Sequence, residues 1–165
     1  MKKYILSLCV IAVIAFAGCG TDTSSEITNP WSEWDTLEAA ETEIGFEFDV
    51  PETAAVTYTA CSFSTMKDDM TILEVTYENG DSAVTVRKSQ GEGQDISGVY
   101  GYDYTVEKEW EDGTQITYSY QSEEKSDETS PVSVTFSNDG YSWAIFAEEG
   151  LTDEECDAFL GDILS

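Results

Sequence analysis

The chain has 165 residues, with Lys+Arg 7 against Asp+Glu 34 and a formal net charge of −27 at neutral pH. Histidine is absent, which excludes Ser-His-Asp and Cys-His nucleophilic sites and His-ligated zinc or haem. So negative a molecule repels phosphate backbones, which excludes nucleic acid as a partner, while a hydrophobic share of 41% suffices for one folded domain.

Lys2 and Lys3 precede an apolar stretch from Tyr4 to Ala17 broken only by Ser7. That run is shorter than the roughly 20 apolar residues a transmembrane helix needs, and two lysines ahead of it are the layout of a secretory signal peptide. It ends in Phe16-Ala17-Gly18-Cys19, which resembles the lipobox of bacterial lipoproteins, with Phe16 where leucine is usual. The small residues let a peptidase approach the backbone. The resemblance implies that the Cys19 thiol receives diacylglycerol and that cleavage falls before it, so residues 1–18 are read as a lipoprotein signal peptide. Five cations then remain against 34 carboxylates, a side-chain charge of −29 over the 147 residues from Cys19 to Ser165. Residues 19–30 are small, polar and aperiodic, and read as a flexible tether. Residues 31–165 are expected to form a single α+β domain.

Asp35 or Thr36 can cap a first helix that carries Leu37, Ala40 and Ile44 at helical spacing and stops at Gly45. Trp31 and Trp34 are expected to staple that helix. Strand-like alternation follows: Phe46, Phe48 and Val50, then Val56, Tyr58 and Ala60. Leu73, Val75 and Tyr77 lead into a turn at Asn79-Gly80, with Val84 and Val86 beyond it. Tyr102, Tyr104, Val106 and Trp110 precede a turn at Asp112-Gly113, and Ile116, Tyr118 and Tyr120 follow. Val132, Val134 and Phe136 turn at Asp139-Gly140 into Tyr141, Trp143 and Ile145. Three turns between alternating runs predict a curved antiparallel meander of about seven or eight strands with one wet face. Thr152 and Glu155 form a capping box, and Cys156, Phe159, Leu160, Ile163 and Leu164 make one stripe of a C-terminal amphipathic helix.

Gly45-Phe46-Glu47-Phe48-Asp49-Val50-Pro51, between Ile44 and Glu52, joins a short helix to a meander. In that order of elements the mature part resembles a domain family of unknown function found in Firmicutes lipoproteins and in extracellular parts of anti-sigma-related membrane proteins. The resemblance implies a location and a fold. It carries no catalytic or ligand residues.

No catalytic, cofactor-binding or dedicated metal residues stand out. The carboxylates invite a glycosidase reading, but among so many acids some pair meets the required separation by chance. Glu78-Asn-Gly-Asp81 and Glu111-Asp-Gly113 are hairpin chemistry and do not fit an EF-hand loop, although weak calcium binding at a carboxylate patch stays open. Tyr102, Tyr104, Trp110, Tyr118 and Tyr120 share one face of a hairpin, where exposure would suit sugar rings or a peptide and burial would make them core. The core reading is preferred. Ser89–Gly101 holds four glycines after Lys88, but a strand follows it, so it reads as a mobile loop over a sheet edge rather than a phosphate cradle. It is the first place to look for a binding mouth.

Cys61 and Cys156 remain once Cys9 leaves with the signal and Cys19 is acylated, and they are a candidate disulfide pair. Alternation puts Cys61 opposite Val56 and Tyr58, so geometry leaves open whether the two meet. The expected function is a non-enzymatic binding, sensing or envelope-interaction module without cofactor, lipid-anchored on the extracytoplasmic side of the cell membrane, with a protein or glycan partner unspecified. The alternatives are a carboxylate-dependent glycan hydrolase and an accessory subunit of a membrane complex. Self-repulsion in so acidic a chain gives a direct test: the melting temperature should rise from low to moderate salt, and a flat or falling curve would contradict it.

Overall fold

The computed structural model of the protein describes residues 29–49, 51, 60–67, 69–122 and 130–165. In chain order the described elements are β1 (Trp31–Trp34), α1 (Leu37–Ile44), β2 (Ala60–Lys67), β3 (Thr71–Asn79), β4 (Ser82–Gln90), β5 (Tyr104–Glu109), β6 (Gln115–Tyr120), β7 (Ser133–Asn138), β8 (Tyr141–Phe146) and α2 (Asp153–Leu164). The strands form one open antiparallel sheet in the order β1-β2-β3-β4-β8-β7-β6-β5, so the class is α+β with an N-terminal and a C-terminal helix. Two four-stranded meanders are thus joined along β4 and β8.

Local chemistry sets the helix ends. Thr36 Oγ1 accepts from the Ala39 amide at 3.2 Å, and Gly45, at φ +88°, donates to the Glu41 carbonyl at 2.8 Å. At α2 the capping box closes both ways: Glu155 N–H donates to Thr152 Oγ1 at 3.2 Å, and Thr152 N–H donates to Glu155 Oε2 at 2.8 Å. The β7–β8 hairpin turns on Asp139 (φ +51°) and Gly140 (φ +82°), the two left-handed positions a type I′ turn requires. The β5–β6 loop closes as expected around Gly113, whose amide donates to the Trp110 carbonyl at 2.9 Å.

Register lays a continuous apolar row across all eight strands: Trp34, Phe63, Val75, Val86, Ile145, Val134, Tyr118 and Val106 are successive partners. The two helices cover this face. Ala40 and Ile44 of α1 and Cys156, Phe159 and Leu160 of α2 join one core with Leu73, Val75, Val84, Ile116 and Phe136. Phe159 meets Tyr77 edge-on at 5.4 Å between centroids.

Several expectations are corrected. Trp31 and Trp34 lie in an edge strand rather than stapling α1, because extended backbone sends Trp34 to the core face and Trp31 to the other, and gains ladder bonds with β2. Phe46 and Phe48 form no strand. Their segment runs irregularly over the core face, where Phe46 packs on Tyr141 and Phe48 on Trp143, each at 5.4 Å. Val50, Val56 and Tyr58 lie outside the described residues, and Ala60 opens β2. The β3–β4 loop is Gly80-Asp81, one residue beyond the expected turn, since Asn79 still pairs with Ser82. The second face is not uniformly wet, for Ile72, Ile96 and Ala144 form a small buried cluster there, with Trp31, Met66 and Met70 against it.

Ile145 is fully buried in the central row. Ile145→Ala should therefore cost about 2–5 kcal/mol in denaturant unfolding, because its sheet and helix neighbours cannot collapse into the space left behind.

Candidate functional site

Residues 91–103 connect the two meanders and are fastened across the second face of the sheet, which corrects the expectation of a mobile loop at an edge. Arg87, in β4, holds the loop. Its Nη1 donates to the carbonyls of Ile96 at 3.0 Å and Ser97 at 2.6 Å, while Nε and Nη2 reach Glu74 Oε2 at 2.8 and 2.7 Å. The guanidinium also lies between the rings of Trp31 and Phe146, at 4.9 and 4.7 Å from their centroids. A Cβ on Gly98 would approach Arg87 Nη1 to 2.7 Å, and φ there is +71°, so glycine is required on two counts.

Further along, Ser142 Oγ donates to the Gly91 carbonyl at 2.9 Å and accepts from the Gln94 amide at 3.0 Å. Gly93 N–H donates to Ser137 Oγ at 2.9 Å, and Ser97 Oγ lies 2.8 Å from the Tyr102 hydroxyl. Hydroxyl side chains projecting from β7 and β8 thus satisfy the amides of a loop that has no ladder of its own.

Beside this wall lies a shallow groove of about 350 Å³, lined by Gly93, Gln94, Asp95, Gln115, Thr117, Thr135, Phe136 and Ser137. Thr117 and Thr135 face each other on β6 and β7 and are half-buried. Asp95, exposed at the groove, accepts from the backbone and hydroxyl of Ser97 through Oδ1, at 3.0 and 2.7 Å. The groove thus presents amide and hydroxyl groups, each able to donate and accept, beside one carboxylate. Tyr100, on the same loop, is 86% exposed, and its carbonyl accepts from Gln121 Nε2 at 3.0 Å. Of the aromatic row, Tyr118 is core, Tyr120 and Trp110 pack against it, Tyr104 stacks on Tyr120 at 4.6 Å, and Tyr102 belongs to the loop.

A second cleft, of about 390 Å³, opens between the β3–β4 hairpin and the start of α2, lined by Asp81, Glu148, Glu149 and Glu155 among others. Asp81, Glu148 and Glu149 are exposed, and Glu155 is engaged in the capping box. General acid catalysis by a carboxyl calls for desolvation that raises its affinity for protons. Asp112 is displaced the other way, held below the usual carboxylate range by the Thr114 amide at 2.8 Å. Among the described residues no group of three or more acidic or Cys side chains could hold a metal ion.

On the core face Lys88 is buried under the Phe46 segment. Its Nζ donates to the Glu47 carbonyl at 2.7 Å and lies 4.4 and 4.8 Å from the centroids of Tyr141 and Trp143. Burial pushes its pKa down, against the pull of Asp49, Glu41, Glu47 and Asp139. Sequence reading weighed Lys88 only as a phosphate partner and gave Arg87 no structural role; the available signal was two adjacent cations on a strand in a chain so short of them.

Cys19 lies outside the described residues, and so does the side chain of Cys61, whose backbone pairs with Tyr77. Cys156 is a buried free thiol. No family model, curated protein or solved structure matches this chain.

Burial and the nearby Asp153 push the Cys156 thiol up to about 12, and burial raises Tyr118 to about 12 as well. Both groups hold their protons more tightly when folded, so their contribution is complete below about pH 9 and is lost as pH rises toward 12. Chemical unfolding between pH 8 and 11 should show stability falling with pH, and Cys156→Ala should make that fall shallower. An unchanged slope in the variant would contradict the assignment.

Proposed function

We propose that the protein is a lipid-anchored extracytoplasmic module that binds or senses a ligand without transforming it. The observation that carries this reading is Phe16-Ala17-Gly18-Cys19 behind a short lysine-led apolar run and ahead of a polar tether. The anchor is the Cys19 thiol, and the domain is displayed on the far side of the cytoplasmic membrane by a tether that leads into β1. Among the described residues no helix is long and apolar enough to cross a membrane. The resemblance of the Ile44–Glu52 segment to the Firmicutes lipoprotein domain supports the same location.

Support for binding over catalysis comes from the two concavities. The first groove offers mainly hydroxyl and amide groups on a strand-pair floor, and the acidic cleft leaves Asp81, Glu148 and Glu149 exposed. Carboxylates so exposed lack the desolvated setting that general acid work calls for.

Expression of Cys19→Ser should release the protein from the membrane fraction or stall its processing, while the unaltered chain partitions with membranes. Mass spectrometry that found Cys19 unmodified within a longer mature chain would overturn the anchor.

A further inference from the structure

We propose that the groove between residues 93–95 and strands β6 and β7 binds a neutral oligosaccharide, with the Tyr100 ring as an added stacking surface. This rests on the binding-module reading and names its ligand class. One residue in five of the chain is acidic, yet the polar side chains of the groove are mostly the hydroxyls of Thr117, Thr135 and Ser137 and the amides of Gln94 and Gln115, and its one carboxylate, Asp95, already accepts from Ser97 through Oδ1. Groups that both donate and accept match sugar hydroxyls, which do the same. Glu107 and Glu109, the partners of Thr117 and Gln115 on β5, border this strip with carboxylates that accept from hydroxyls and repel anionic saccharides.

Length argues for an oligomer. From Gln115 to Gln121, whose amide holds the Tyr100 carbonyl, the chain advances six residues, about 20 Å at roughly 3.3 Å per residue. Tyr100 offers an exposed ring there, whose negative face attracts the polarised C–H groups of a sugar. The site is also preformed. Its floor is a strand pair, and its wall is held by the bonds of Arg87, Ser137 and Ser142, so little ordering opposes binding.

The test uses the full chain carrying Cys19→Ser, titrated at up to about 10 mM ligand and followed by amide chemical shifts. The probes are maltotetraose, cellotetraose and N-acetylchitotetraose, with tetragalacturonate and tetralysine as charged counterparts. At least one neutral tetrasaccharide should bind saturably, shifting Thr117, Thr135 and Gln94. Tyr100→Ala and the isosteric pair Thr117→Val with Thr135→Val should each weaken it about tenfold or more, and Glu149→Gln in the other cleft should not. Unchanged affinity in both groove variants overturns the site. Saturation by tetragalacturonate or tetralysine alone, or by none of the probes, overturns the ligand class. Cleavage of a bound neutral tetrasaccharide, read by mass spectrometry, keeps this proposal and overturns the non-catalytic reading instead.

Discussion

The pairing of β4 with β8 is the contact on which the remainder of the structure depends. Each meander alone would leave one more open edge and too little apolar surface to cover, and their junction turns two sheets into one. Arg87 pairs with Ala144 and Lys88 with Trp143 at this seam. Because successive strand residues point to opposite faces, the two cations leave the sheet in opposite directions. Arg87 secures the 91–103 loop on one side, and Lys88 secures the Phe46 segment on the other. Two adjacent residues thereby hold both coverings of the sheet centre in place.

That economy matters in a chain with so few positive groups. An exposed pair such as Lys67–Glu43, at 2.9 Å with both side chains nearly half exposed, adds little to stability. Arg87–Glu74 is different: its side chains are 15% and 18% exposed, and Nη1 donates to two backbone carbonyls besides. Loss of Arg87 would leave Glu74 without its partner and the Ile96 and Ser97 carbonyls without donors, a cost well above that of an exposed pair. Lys88 carries a desolvation penalty, which the carbonyl of Glu47 and the faces of three aromatic rings offset in part.

The same fastening gives the second face its character. A loop of 13 residues with four glycines would ordinarily be loose, yet here its amides end on Ser137 and Ser142 and its Ile96 is buried against Ile72 and Ala144. Ser142 of β8 serves the loop, Ser137 of β7 both serves the loop and lines the groove, and Thr135 lines the groove two residues before it. Serine and threonine on this face are thus both scaffold and surface.

Alternation, turn residues and caps made much of the fold legible in the sequence. The α1 boundaries, the capping box of α2 and the Asp139-Gly140 hairpin all follow from interactions within a few residues, which local chemistry dictates. The lipobox-like segment is likewise a local pattern, read in the same way. What tertiary structure decided is non-local. The β4–β8 crossover depends on which meander edge buries the most surface, and the strand at Trp31–Trp34 depends on a partner more than 25 residues away. Phe46 and Phe48 alternate like a strand, but their rings are claimed by Tyr141 and Trp143, so the segment gives up ladder bonds for packing. The groove has no signature of its own, because a row of threonines on a wet strand looks the same whether or not a loop walls it in. The wall is made by non-local bonds, those of Arg87 to Ile96 and Ser97 and those of Ser137 and Ser142 to Gly93 and Gln94.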